Sequence, residues 1–445
     1  KMLFPFVLVA LSFITHFLFF GHPNAVVFDE VYTENFVGNY SSGSYYFDIH
    51  PPLAKLLTNF FGDIIGVSYN ADFGTIGNIL PWETVLLRIL PLLAGVFLPL
   101  VIYFICRYLK MSKMASFVAG MLIILENSLL VQSRFLLFDS IMLLFGFSAV
   151  LFYLIYVRKG FGKMLLLVSA LFAAGAFSIK WTGLAFPLLI FLAEIIRMKK
   201  MKECLKFFLF YAVVGAIFYM SVFAIHFARL NHSGPGDIFM SDHFQTTLIG
   251  NPQAADATLA PKGFFGKFIE LNIGMYEANK TLTATHDYAS RWFTWPLMLR
   301  SIFYWQGTAD STGNSYIYLL GNPIIYWLGT LSIIFLFWQV IRKKREWSSQ
   351  KISLFILIGF FANFLPFLFI NRVMFLYHYE AALIFSIMAI CFILEKFVPE
   401  NKKLLSICIL LGVCLITFIF FSPLTYGLNL SDLELTARMW LPTWR

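Results

Sequence analysis

Eleven apolar stretches leave this chain little choice of fold. They fall at about 2–20, 83–106, 114–132, 136–157, 164–179, 182–196, 207–229, 317–341, 352–370, 378–394 and 404–422. Most approach the roughly 20 residues that a helix needs to cross the hydrocarbon core of a bilayer. Charged residues make up 13% of the 445 positions, against about 25% in a soluble chain. The expected fold class is therefore an all-α polytopic membrane protein with about eleven transmembrane helices, the fifth and sixth short and joined by a tight turn. The net charge of +9 does not point to nucleic acid. With the N-terminus placed in the cytoplasm, most Lys and Arg fall on short inner loops, and most Asp and Glu fall outside. Arg342-Lys343-Lys344-Arg345 is the clearest case of this positive-inside pattern. Such runs set topology and meet lipid headgroups. No small-residue cleavage site follows the first stretch, which reads as a retained anchor. The five cysteines lie in spans or on the inner side, so the outer loops have no disulfide framework.

Two outer segments are long, 21–82 and about 230–316, and a third outer piece is the tail 423–445. The inner loops are all short. We read residues 1–445 as one domain whose chemistry lies on the outer face. Long outer loops without an inverted repeat speak against a secondary transporter, the reading from another class. Within the first loop Leu53, Leu56, Leu57, Phe60, Phe61, Ile64 and Ile65 form a helical stripe, with Lys55, Thr58, Asn59 and Asp63 opposite. That pattern predicts an amphipathic helix lying in the interface. Other flat helices are expected near Phe28 and over 263–277. The aromatic stretch Tyr288 to Trp305 reads either as an interfacial belt or as the lining of a sugar or lipid groove.

The chemistry is expected at Asp29-Glu30, just past the first span. Ionisable groups at a membrane boundary are costly and suggest function. Arg88, Arg134, Lys180, Arg291, Arg372 and His378 fall at the same predicted depth and face, with Glu126, Asp139, Arg300 and Glu380 among them. Any one of these could instead be a structural ion pair. Together they suggest cations that hold a phosphate and a carboxylate that takes a proton from an attacking group. A lipid phosphate would place the scissile bond at this depth. No glycine-rich nucleotide motif is present. The histidines lack metal-ligand spacing, so no metal site is expected, although Asp237 and Asp242 could meet a hard cation.

The ordered stretches Phe28-Asp29-Glu30-Val31, Tyr46-Phe47-Asp48-Ile49-His50-Pro51-Pro52-Leu53, Asn127-Ser128, Gln132-Ser133-Arg134, Leu137-Phe138-Asp139-Ser140 and Lys180-Trp181-Thr182-Gly183-Leu184 resemble the protein O-mannosyltransferases. So do His226-Phe227, Leu230-Asn231-His232-Ser233-Gly234, Gly236-Asp237, Thr285-His286, Trp295-Pro296-Leu297, Leu320-Gly321-Asn322-Pro323 and Tyr377-His378-Tyr379. The resemblance runs from residue 28 to about 380. It implies the GT-C glycosyltransferase fold, a cytoplasmic N-terminus and an external C-terminus. It also implies a polyprenyl- or dolichyl-phosphate mannose donor, a Ser/Thr hydroxyl acceptor on proteins, inversion at the sugar carbon, and no cofactor beyond the lipid-linked donor. Asp29 falls on the family's presumed base, Glu30 on a residue assisting the acceptor, and Arg88 on an important arginine. His50, Asp48, His232, Asp237 and His286 are expected to position the acceptor and the loops. Only about 85 residues join the seventh and eighth spans. The trefoil domain of eukaryotic members is therefore expected to be absent, which suggests a prokaryotic enzyme of the plasma membrane. A related enzyme acting on a glycolipid or wall polymer is the alternative.

Overall fold

A computed structural model describes residues 3–67, 71–160, 162–198, 200–307, 313–342 and 347–445, with residues 34, 35 and 347–349 as backbone alone. Lys1, Lys199, Lys343, Lys344, Arg345 and Glu346, which contribute to the expected charge asymmetry, lie outside the described residues. Each apolar stretch is helical over most of its length. The helices are Leu3–Phe17, Trp82–Tyr108, Lys113–Ile124 with Asn127–Arg134, Asp139–Lys159, Gly162–Phe177, Ala185–Arg197, Met201–Arg229, Pro323–Arg342, Trp347–Phe364, Glu380–Phe397 and Glu400–Tyr426. Among the described residues, six are long and apolar enough to cross a membrane, and seven if the bent pair counts as one span.

That pair breaks after Ile124 with a bend of 57°. Glu126 accounts for the break. Its carboxylate accepts the backbone N–H and the hydroxyl of Ser128, each at 3.0 Å, capping the second helix, and also the backbone N–H of Asn322 at 3.0 Å. A carboxylate at a helix N-terminus satisfies donors that have no partner within the helix.

Contacts sort the loops onto two ends of the bundle. At one end Ser112 N–H donates to Glu395, Arg158 to the Tyr108 carbonyl, and Tyr153 and Arg197 to Glu194. At the other, His22 meets the Gly427 carbonyl, Tyr426 donates to the Thr15 carbonyl, Arg229 pairs with Asp63, and Ser301 donates to the Trp444 carbonyl. The two long loops are at this second end.

The amphipathic helix of the first loop forms at Leu53–Ile65, after Pro51-Pro52. Its polar stripe points inward: Lys55, Thr58 and Asn59 are buried, whereas Phe60 and Ile64 are 64% and 66% exposed. An outward apolar face suits lipid. The 263–277 helix spans Phe264–Thr281. The one expected near Phe28 is instead a 3-10 turn, Phe28–Tyr32, followed by the helix Glu34–Ser42. Phe28 has φ +46°, a left-handed conformation that a helix cannot continue through.

The architecture is not purely helical. Strands β1, Ile302–Gln306, and β2, Asn314–Leu319, pair antiparallel with a register shift between Phe303 and Trp305; β3, Asn429–Leu430, adds to the other edge of β2. The apolar run expected to begin a helix at 317 is therefore strand until Leu319, and its helix starts at Pro323. Aromatic and β-branched residues such as Ile302, Phe303, Tyr304 and Ile317 fit a pleated, half-buried surface, which hydropathy alone does not separate from the start of a span.

Gly183 seats the turn that carries Lys180. A Cβ there would lie 2.5 Å from the backbone carbon and oxygen of Ala176. Backbone cannot move aside as a side chain can, so Gly183→Ala is expected to destabilise the protein by about 1–3 kcal/mol, read as a lower thermal midpoint in detergent. Gly412→Ala, with nothing within 4 Å, serves as the control and should leave that midpoint unchanged or slightly raised.

Candidate active site

The second end of the bundle holds a cavity of about 410 Å³ whose lining includes His50, Asp139, Lys180, Arg372, Tyr377, His378 and Glu380. The linker before Leu53–Ile65 supplies His50. The first turn of Asp139–Lys159 supplies Asp139, and the tight turn after Gly162–Phe177 supplies Lys180. The segment before Glu380–Phe397 supplies Arg372, Tyr377 and His378, and the first residue of that helix supplies Glu380. Lys180 Nζ lies 2.8 Å from both carboxylate oxygens of Asp139 and 5.2 Å from the Tyr377 ring centroid. Asp139 also accepts the Gln132 amide at 2.9 Å, and Gln132 accepts the Tyr304 hydroxyl at 2.5 Å. His378 stacks on Trp295 and Tyr377, with centroids 5.8 and 4.4 Å away, and its Nδ1 lies 3.0 Å from the Phe375 carbonyl. Among the described residues, no hydrogen bond or ion pair engages the Arg372 guanidinium.

Asp29 is not part of this lining but lies within electrostatic reach of two of its members, Lys180 and Asp139. Enclosure by protein pushes its carboxyl up to about 6; the Lys180 ammonium opposes that rise and the Asp139 charge adds to it. No hydrogen bond or ion pair engages its carboxylate among the described residues. Phe28, just before it, is held in its unusual conformation by stacking on Tyr304, centroids 4.2 Å apart and planes 6° apart. Such backbone strain persists only where surrounding packing imposes it.

Glu30 has the opposite environment. It is fully buried and accepts Val27 N–H at 2.9 Å, Leu136 N–H at 2.8 Å, Arg88 Nε at 2.8 Å and an Arg88 terminal nitrogen at 2.6 Å. Arg88 also donates to the carbonyls of Pro23 and Ala25, both at 2.6 Å, and lies over Phe135. Two expectations change here. Arg88, expected at a donor phosphate, has its donors engaged within the protein and does not line the cavity. Glu30, expected at the acceptor, is likewise committed to holding the loop. Arg134 differs in the same way, donating to the carbonyls of His16, Leu18 and Phe19 at 2.7–2.9 Å and covering the Tyr426 ring.

The other expected residues divide. Lys55 pairs with Asp48 at 2.7 Å and donates to the His50 carbonyl. Burial, with the nearby charges of Lys180 and Lys55, holds the His50 imidazole well below its usual range, so it is neutral at physiological pH. Burial also lowers the Lys55 ammonium, against the pull of Asp48. Asp237 is buried and braces the second loop by accepting Ser233, Gly234 and Asn251. His232 is exposed, with its backbone bridging Ser44 and Ile249. His286 is exposed yet reaches the Phe28 and Phe375 rings. Arg291 is exposed and away from the cavity. Asp139, Tyr377 and Glu380 join the site without having been placed among its binding groups. Asp139 and Tyr377 lie in stretches that carry the resemblance, whereas the only hint at Glu380 is an acid opening an apolar span.

The fold covers all of this chain and 92% of the matched chain in the structure of the S. cerevisiae protein O-mannosyltransferase Pmt1-Pmt2 complex bound to the sugar donor, with a TM-score of 0.91 at 20% identity. It also matches the Archaeoglobus fulgidus oligosaccharyltransferase, TM-score 0.58 at 13% identity over 96% of this chain and 56% of that one. ArnT from Cupriavidus metallidurans bound to undecaprenyl phosphate gives 0.56 at 15% over 92% and 63%. The architecture is thus that of the GT-C membrane glycosyltransferases. The model of dolichyl-phosphate-mannose-protein mannosyltransferase matches residues 6–231, and that of the C-terminal four TMM region of protein-O-mannosyltransferase matches 264–444; the chain belongs to the protein O-mannosyltransferase family. It is 32% identical over 269 residues to dolichyl-phosphate-mannose–protein mannosyltransferase 1 of Candida albicans, covering 56% of this chain and 31% of that protein. It is 33% identical over 264 residues to protein O-mannosyl-transferase 1 of Danio rerio, covering 54% and 36%. The chain spans about a third of the length of these curated relatives.

Breaking a buried pair leaves one charge stranded. Arg88→Met should therefore lower stability by about 3–5 kcal/mol. Glu30→Gln combined with Arg88→Met should cost less than the two single changes added together. Chemical unfolding in detergent measures both, and strictly additive losses would contradict the coupling.

Proposed function

We propose that this protein transfers mannose from a polyprenyl- or dolichyl-phosphate donor to Ser/Thr hydroxyls of proteins, with inversion and with Asp29 as the general base. The observation that carries the reading is the contrast within the acidic pair. Glu30 is locked to Arg88, while Asp29 keeps an unengaged carboxylate within electrostatic reach of Lys180 in the cavity lining. The family membership supplies the donor and acceptor classes.

In this mechanism the acceptor hydroxyl attacks the anomeric carbon as Asp29 takes its proton. The sugar–phosphate bond breaks on the opposite face, and the lipid phosphate leaves carrying the electron pair. Arg372, half-buried in the cavity wall, meets the phosphate, with Lys180 and His378 beside it. The isoprenoid chain lies in the apolar groove lined by Phe177, Leu184, Pro187, Leu188, Phe191 and Phe208, which starts at the same 181–184 turn that borders the cavity. His50, with Asp48 and Lys55 behind it, forms the side of the cavity towards the first loop, where an extended acceptor would lie. Arg88, Glu30 and Asp237 act by holding loops in place. No metal or further cofactor is invoked. We place the chain as a single domain crossing the plasma membrane eleven times, with the N-terminus cytoplasmic and the site and C-terminus outside, on the strength of the charge asymmetry.

The direct test supplies purified protein with labelled polyprenyl-phosphate mannose and a Ser/Thr-rich peptide, then separates peptide from lipid products. Label in peptide supports the reading; label only in glycolipid favours the alternative acceptor class. Asp29→Asn should reduce transfer by about 10²–10⁴-fold with donor binding retained. The base works only when ionised, so wild-type kcat/KM should be flat at high pH, reach half its plateau near pH 6, and fall about tenfold per unit below. A profile without that limb would remove Asp29 from the role. Arg372→Ala should raise the donor KM about tenfold or more, the loss of one charge-assisted contact.

A further inference from the structure

Leaving aside the partly exposed Asp29, the buried carboxylates of this protein are satisfied, with one exception among the described residues. Glu30 accepts from Arg88 and two backbone amides, Glu126 from Ser128 and Asn322, Asp139 from Lys180 and Gln132, Glu194 from Tyr153 and Arg197, and Asp237 from Ser233, Gly234 and Asn251. Glu380 is 1% exposed, and neither of its oxygens has a partner. It is the first residue of its helix and lines the 410 Å³ cavity. The lining it shares combines apolar side chains such as Met142, Leu143 and Ala362 with the charged Asp139, Lys180 and Arg372. An unpaired carboxylate in such surroundings is costly unless something in the cavity donates to it.

We propose that Glu380 reads the sugar of the donor, its two oxygens accepting hydrogen bonds from adjacent hydroxyls of the transferred hexose. The inference rests on the glycosyl-transfer reading above. A phosphate has Arg372 and Lys180 to meet it in the same cavity, which leaves the sugar hydroxyls to the unpartnered acid. An isoprenoid tail has nothing to donate. A sugar ring presents neighbouring O–H donors at the spacing a carboxylate accepts, and the cavity has room for a hexosyl phosphate. Glu380 is then a specificity-determining residue: it selects for the hydroxyls it pairs with, since a donor lacking them leaves it stranded again.

The test uses full-length protein in lipid nanodiscs with polyprenyl-phosphate mannose and its 2-, 3-, 4- and 6-deoxy analogues. For wild type, removing a hydroxyl that meets Glu380 should lower kcat/KM by about 10–100-fold, the worth of a hydrogen bond to a charged group. In Glu380→Ala the natural donor should suffer a comparable loss, and that deoxy penalty should vanish. A purely structural role would lower all donors alike and leave the penalty intact. Glu380→Gln, nearly identical in shape, carries the same measurement if the alanine variant fails to fold. Unaltered penalties in either variant overturn the assignment and mean that water alone satisfies the carboxylate. If wild type transfers no mannose and Asp29→Asn matches it, the functional reading itself falls, and this inference with it.

Discussion

The arrangement of the cavity-bearing end depends on one buried ion pair. Arg88 reaches from the start of its helix and binds Glu30 through two nitrogens, while its other donors fix the carbonyls of Pro23 and Ala25. Glu30 in turn accepts the backbone of Leu136, on the loop before Asp139. One guanidinium–carboxylate contact thus ties the first loop to two membrane helices. Charges this deeply buried, with exposures of 2% and 1%, are tolerated only because every strong donor and acceptor is matched. The pair is better understood as a constraint on geometry than as a source of net stability.

That constraint separates two adjacent acids into different roles. At the left-handed turn of Phe28, which stacks on Tyr304, Glu30 turns inward to Arg88 while Asp29 stays within reach of the charges of Lys180 and Asp139. As free amino acids the two differ by one methylene and only a few tenths in side-chain pKa. The surrounding matrix engages one with Arg88 and two backbone amides, and by enclosing the other raises its carboxyl to about 6. The Asp139–Gln132–Tyr304 chain completes the support: the ring that holds Phe28 is hydrogen-bonded to the network that balances Lys180.

Much of this was legible from residues alone, because hydropathy and charge are long-range signals in membrane chains. Each apolar stretch is helical over most of its length, the stripe at 53–65 is an amphipathic helix with its apolar face outward, and Lys180, Arg372, His378 and His50 meet at one cavity. The failures share a cause. Sequence marks which ionisable groups are buried but not whether a partner waits for them. Arg88 and Arg134 therefore read like phosphate ligands, although neighbouring carbonyls take up their donors. Asp139 and Glu380 were visible as charges but not as cavity walls. The sheet escaped because β2 is as apolar as the start of a span, and the break at Glu126 because a capping acid inside an apolar run resembles a functional one.

The helix Leu53–Ile65 has a consequence for how the protein behaves outside its native setting. Its inward stripe carries Lys55, which holds Asp48 and the His50 carbonyl, and its outward stripe is hydrocarbon. With acyl chains against that outward stripe, the side of the cavity that bears His50 would follow the thickness and lateral pressure of the leaflet. A micelle, with a different curvature and no lateral tension, supports that helix differently from a planar film. Lipid composition would then be a parameter of the cavity's geometry rather than a passive background.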